Sequence, residues 1–136
     1  MITRQQLAKM IDHSLLRPNA TREELKRLCE ESIEYGFKAV CVNPTHVADA
    51  WLFLKGHDVL VCSVIGFPFG THPPKVKAAE VKEVIKKGAR EIDMVIQIGD
   101  LKDRRDAEVL EDIRAVVKAA AGFPVKVILE ACYLTD

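Results

Sequence analysis

Glu91-Ile92-Asp93-Met94-Val95-Ile96 is rich in apolar residues of high strand propensity and is bounded by turn residues, so it reads as a β-strand. Side chains alternate across a strand, which puts Ile92, Met94 and Ile96 on one face and Asp93, Val95 and Gln97 on the other. A strand covered by helices on both faces is expected to be apolar nearly throughout. Asp93 breaks that rule. A carboxylate buried without partners costs several kcal/mol or takes up a proton, and either outcome marks a chemically interesting position. The structural alternative is an Asp satisfied by a neighbouring lysine or by backbone N–H groups.

Working outward, residues 75–87 read as a helix with Val76, Ala79, Val84 and Ile85 inward and Gly88 as its stop. On the other side Gly99-Asp100 breaks the chain. A long helix then runs from about residue 104 to 121, burying Ala107, Leu110, Ile113, Val117 and Ala120. Gly122-Phe123-Pro124 turns it into a strand at 125–130. Two earlier apolar runs, 38–43 and 59–65, are strands as well. Thr45 is placed to cap a helix over 47–54 between them. Before the first of these strands, Thr21 and Glu24 form a capping box for a helix with Leu25, Leu28, Cys29, Ser32 and Ile33 inward, ended by Gly36. A second box, Thr3 to Gln6, opens a short helix expected to end near Asp12-His13-Ser14, before a loop at Arg17-Pro18-Asn19.

The expected domain is therefore a single α/β unit over residues 1–136. It has four parallel strands, near 38–43, 59–65, 90–96 and 125–130, alternating with helices, plus an extra N-terminal helix. The chain is 49% hydrophobic and 29% charged, with 20 basic and 20 acidic residues, so no net field recruits nucleic acid or anionic membrane. Neither partner is expected, and no apolar run reaches membrane-spanning length. Cys29, Cys41, Cys62 and Cys132 lack C-x-x-C spacing and read as free thiols in a reducing cytoplasm. His13, His46, His57 and His72 are scattered without metal-ligand spacing, so no metal is expected.

Repeated βα units close either as a doubly wound sheet or as a barrel. The first strand is followed by Asn43-Pro44-Thr45-His46, without the glycines of a dinucleotide turn, and the Gly66–Gly70 loop lacks the lysine of a P-loop. A barrel instead carries polar residues on its interior face. Asp93, Lys126 and Glu130 fit that face, with Val125, Val127 and Leu129 directed to the helices. Asp93 and Lys126 then pair in one interior, with a salt-bridging role favoured for the lysine. Four βα units make half of a (β/α)8 barrel and leave two bare strand edges.

Several stretches resemble the deoxyribose-phosphate aldolases: Ile11-Asp12-His13-Ser14-Leu15-Leu16-Arg17-Pro18, Val40-Cys41-Val42-Asn43-Pro44, Val64-Ile65-Gly66-Phe67-Pro68-Phe69-Gly70, residues 88–96, Gly99-Asp100-Leu101 and residues 125–134. The resemblance runs along essentially the whole chain, in order. It implies a (β/α)8 class I aldolase without metal or cofactor. Such an enzyme reversibly cleaves 2-deoxyribose 5-phosphate to glyceraldehyde 3-phosphate and acetaldehyde through a lysine Schiff base. By the same resemblance Asp93 serves in proton transfer, and Asp12, Ser14, Cys41 and Asn43 line the substrate pocket, with Lys126 in a supporting position.

The resemblance also implies that the Schiff-base lysine, the second active-site lysine and the phosphate-binding loops belong to a second half beyond Asp136. The expectation is a truncated barrel, inactive alone. A half-barrel that pairs with a second copy through its exposed edges is the alternative, as is residual aldolase chemistry with Lys126 as the nucleophile.

Overall fold

The computed structural model describes residues 1–135. Its centre is a parallel sheet of five strands in the order β1-β2-β3-β4-β5: Asp12–Leu15, Ala39–Val42, Leu60–Ile65, Glu91–Val95 and Val125–Ile128. Helices α1 (Arg4–Ala8), α2 (Arg22–Tyr35), α3 (Val47–Phe53), α4 (Pro74–Lys87), α5 (Ile98–Lys102) and α6 (Asp106–Ala120) alternate with them. The expected capping boxes form: Thr3 and Thr21 accept from the backbone N–H groups of Gln6 and Glu24, whose side chains reach back. Gly36, at φ +67°, closes α2 in the left-handed conformation that glycine adopts without strain. Among the described residues, no helix is long and apolar enough to cross a membrane.

The sheet has two differently built faces. Val40, Val42, Val61, Ile65, Ile92 and Met94 pack with the buried stripe of α2 and with Val81, Val84, Val116 and Ala120 of α4 and α6. The other face carries a smaller apolar group, Ala39, Cys41, Cys62 and Val64, packed by Leu16, Phe67 and Ile128. On that inner face also lie Asp12, Glu91, Asp93 and Lys126. Among the described residues β1 and β5 each pair on one side only, so both edges of the sheet are open.

Five strands stand where the sequence reading had four. Asp12-His13-Ser14, expected as a helix end, is extended and pairs with β2 in the register Asp12↔Ala39 to Leu15↔Val42. Its polar residues disguised it. Asp12 turns to the inner face and His13 to the helices, where its Nε2 lies 2.8 Å from Glu31. At the other end β5 stops at Ile128, and Glu130 adopts φ +52°, so the alternation that grouped it with Lys126 does not reach it. Leu129, expected against the helices, is exposed, whereas Val125 and Val127 do pack there.

The helices differ from expectation in phase. In α4 Lys77, Val81 and Val84 are buried and Val76 is exposed. In α6 the buried residues are Val109, Asp112, Val116 and Ala120, while Leu110 and Val117 face outward. A reading by hydrophobicity could not choose a face that buries charges. Lys77 and Asp112, both 0% exposed, meet at 2.5 Å, and the Lys77 ammonium also donates to the Val95 carbonyl at 2.9 Å. That pair ties α4 to α6 and both to the C-terminal end of β4. Thr45 lies inside a 3₁₀ turn, Pro44–His46, and does not cap α3. Gly99 and Asp100, expected as a break, belong to α5.

Candidate active site

The inner face gathers its polar side chains by strand alternation. Glu91 and Asp93 are two residues apart on β4 and point the same way. Asp93 lies opposite Lys126 of β5 in the parallel register, and Cys41 lies opposite Cys62 across β2 and β3. The Lys126 ammonium is the hub. It donates to Asp12 Oδ2 at 2.6 Å and to Glu91 Oε2 at 2.9 Å, and it lies 3.1 Å from Asp93 Oδ1. Cys62 Sγ is 3.9 Å from the same nitrogen.

The contact to Asp93 is an ion pair without hydrogen-bond alignment. Asp93 Oδ1 is buried and accepts no hydrogen bond, as is Asp12 Oδ1. The other oxygen of Asp93 faces the Cys41 thiol at 3.8 Å. Glu91 is 2% exposed and divides its carboxylate, with Oε1 on Lys38 at 2.5 Å and Oε2 on Lys126. Burial alone would push Glu91 up, but Lys38 and Lys126 outweigh it and hold its pKa below the ordinary carboxylate value. Burial likewise presses Lys126 toward its neutral form. The bonds to Asp12 and Glu91, with Cys62 and Asp93 nearby, reverse the balance, and its pKa lies above the usual lysine range. The thiols are quiet: the hydrogen bond with Cys41 and burial both raise Cys62, and burial pushes Cys29 up to about 12.

Asp12, Cys41, Asp93 and Lys126 therefore converge as one cluster. Ser14 and Asn43 stand apart from it. The Ser14 hydroxyl donates to the Asp12 carbonyl at 3.3 Å, and the Asn43 amide donates to the Leu16 carbonyl at 3.0 Å. Sequence reasoning missed Glu91, Cys62 and Lys38 as members of the cluster. Period-two alternation from Asp93 would have found Glu91. Two sets of donor atoms, Cys41–Cys62–Asp93 and Asp12–Cys62–Glu91, each lie within 4.8 Å of one another. A metal fitted there would compete with an ammonium that already contacts Asp12, Cys62, Glu91 and Asp93.

The loop after β3 packs tightly beside this face. Gly66 N–H donates to Glu80 Oε2 at 3.0 Å, and Gly70 N–H returns to the Gly66 carbonyl at 2.7 Å. At Gly70, with φ +69°, a Cβ would collide with the Ile96 carbonyl, so only glycine fits.

A family model for DeoC/LacD family aldolases matches residues 6–136. The chain belongs to that family. It is 57% identical over 131 residues to a deoxyribose-phosphate aldolase of Geobacillus sp., covering 96% of this chain and 59% of the relative. A deoxyribose-phosphate aldolase of Clostridium perfringens is 54% identical over 134 residues, covering 98% of this chain and 60% of the relative. The chain thus spans about 60% of the length of the curated relatives it matches. Among solved structures, a candidate deoxyribose-phosphate aldolase from Coccidioides immitis superposes with a TM-score of 0.95 at 42% identity. The match covers 98% of this chain and 53% of that one. A tetrameric deoxyribose phosphate aldolase from Aeropyrum pernix gives 0.87 at 34% identity, covering 98% and 56%. The five-stranded sheet and its helices therefore match just over half the length of the barrel aldolases of this family.

Proposed function

We propose that these 136 residues supply the first half of a deoxyribose-phosphate aldolase site, in which Asp93 moves the proton during reversible carbon–carbon cleavage of 2-deoxyribose 5-phosphate. The observation that carries this reading is the Asp93 carboxylate itself. It sits on the inner barrel face with one oxygen buried and unbonded, beside a lysine held as a cation. A proton-transfer base needs a carboxylate that is not locked in strong hydrogen bonds; Asp93 has only an unaligned ion pair to Lys126 on one oxygen and a weak thiol contact on the other. Asp12 and Cys41 stand on the same inner face, and on this reading Ser14, within β1, and Asn43, just after β2, extend it toward substrate. Glyceraldehyde 3-phosphate and acetaldehyde are the products on this reading, and no cofactor is needed. Buried free thiols suit a reducing cytoplasm.

Lys126 is not the Schiff-base nucleophile. An amine attacks as its neutral form, and the carboxylates around Lys126 favour the ammonium. The nucleophilic lysine belongs to the remaining part of the barrel that the relatives have. Borohydride trapping with acetaldehyde, read by intact mass, tests this. The chain alone is expected to show no reduced adduct. The same chain completed with the second half of the Geobacillus relative is expected to show one, on a lysine of the added half. Asp93→Asn in the completed barrel is expected to lower turnover by about 100-fold or more, on the usual scale of a lost proton-transfer group. An adduct on Lys126 in the chain alone, or full turnover by Asp93→Asn, overturns the reading.

The two open edges favour one further arrangement, a second copy closing the sheet in place of the part of the barrel that the relatives have and these residues do not span. A dimer by sedimentation that is lost on Lys insertion into β5 would support it; a monomer with intact secondary structure excludes it.

A further inference from the structure

We infer that Glu91 is a positioning residue: together with Asp12 it turns the N–H bonds of the Lys126 ammonium away from Asp93, so that Asp93 keeps the lysine's charge 3.1 Å away without an aligned hydrogen bond. This rests on the proton-transfer role proposed for Asp93. Three carboxylates face one ammonium, and they do not share it equally. Asp12 and Glu91 receive aligned hydrogen bonds at 2.6 and 2.9 Å. Asp93 Oδ1 is 3.1 Å away and receives none, although it is buried and has no other partner. An ammonium has three donors and a rotatable stem, so it settles where its carboxylates hold it.

Glu91 is suited to that holding role because it cannot drift. It is buried at the first position of β4, and its second oxygen is clamped by Lys38 at 2.5 Å. From that fixed point it pulls Lys126 toward the N-terminal ends of the strands. Asp93 stands one alternation further along β4, toward the C-terminal ends where barrel enzymes hold substrate. Without Glu91 the freed N–H would turn to Asp93 Oδ1, an unpartnered acceptor already 3.1 Å away. The base would be latched in a charge-assisted hydrogen bond and its pKa would fall. The groups facing Asp93 are Lys126 and Glu91, Asp12 of β1, and the thiols of Cys41 and Cys62; Lys38 acts through Glu91.

The test is an Asp93 titration, read by ¹³C-carboxyl NMR in this chain, which needs no catalysis. Glu91→Asp keeps the charge and withdraws the carboxylate by one carbon. It is expected to lower the Asp93 pKa by about half a unit or more as Lys126 swings over. Glu91→Gln is expected to lower it further. In a Lys126→Met background, both substitutions are expected to lose most of that effect, because Glu91 acts through the lysine. An unchanged Asp93 pKa in Glu91→Asp overturns the inference, as does a Glu91→Gln shift that is equally large without Lys126. If Glu91→Gln does not fold, the Glu91→Asp titration decides alone. Full aldolase turnover by Asp93→Asn in the completed barrel would remove the proposed function and leave these titrations standing.

Discussion

Asp12 and Lys126 are 114 positions apart, on the two edge strands of the sheet, and their side chains meet at 2.6 Å. A flat five-stranded sheet would hold β1 and β5 about four strand spacings, roughly 19 Å, apart. The sheet is therefore strongly curled, and the lysine reaches across the concave side. One ion pair records the curvature of a barrel that these residues only half complete.

Lys126→Met removes the cation that Asp12, Glu91 and Asp93 face. The loss is expected to be modest, about 1–2 kcal/mol at neutral pH, because the lysine side chain is 44% exposed and water screens the cluster. The carboxylates left behind repel one another, and protonating them relieves that repulsion. The difference from wild type in urea unfolding should therefore shrink between pH 7 and pH 4. A gap that widens on acidification would contradict the ion-pair account.

The Lys77–Asp112 pair predicts a larger effect. Both side chains are fully buried, so Asp112→Ala strands an ammonium between α4 and α6, at a cost of about 3–5 kcal/mol. Replacing both partners with apolar residues, as in Lys77→Met with Asp112→Leu, should recover most of that loss. Thermal unfolding of Asp112→Ala and of the double variant checks it.

Gly70→Ala is expected to destabilise by at least about 2 kcal/mol, because alanine is strained at φ +69° and its methyl group would enter the Ile96 carbonyl. Gly36→Ala, also at positive φ but with open space around it, should cost only the conformational strain, about 1 kcal/mol. Equal losses at the two positions in denaturant titrations would show that the close approach at Gly70 carries no weight.

Acid should weaken the fold through carboxylates held below their usual range. The Thr21 backbone N–H and the Arg17 side chain bond to Glu24 and hold it at about 2, and Lys38 and Lys126 lower Glu91 despite its burial. A depressed folded-state pKa stabilises above the unfolded value and is lost as pH falls through the folded one. Stability should therefore decline below about pH 5. In Glu24→Gln the decline should be shallower, since glutamine can still complete the capping box without titrating. Urea midpoints from pH 7 to pH 3 measure both slopes.

The residues of this chain specify much of the molecule locally. The capping boxes at Thr3 and Thr21, the stop at Gly36 and the apolar runs of β2, β3 and β4 are short-range signals that tertiary packing did not overrule. Asp93 was legible for the same reason: a charge within an apolar strand is conspicuous wherever the strand is placed. β1 was not, because Asp12-His13-Ser14 is polar and becomes a strand only through pairing with β2. Nor were the buried faces of α4 and α6, where Lys77 and Asp112 are tolerated inside only because each meets the other. Pattern sees one residue's preference for water; burial of a charge depends on a partner supplied from another element. The fates of Lys126 and Glu91 belong to that second kind. Alternation placed Lys126 on the inner face and could have placed Glu91 there, but only the curl of the sheet, which brings β1 within reach of β5, decided how the three carboxylates share the ammonium.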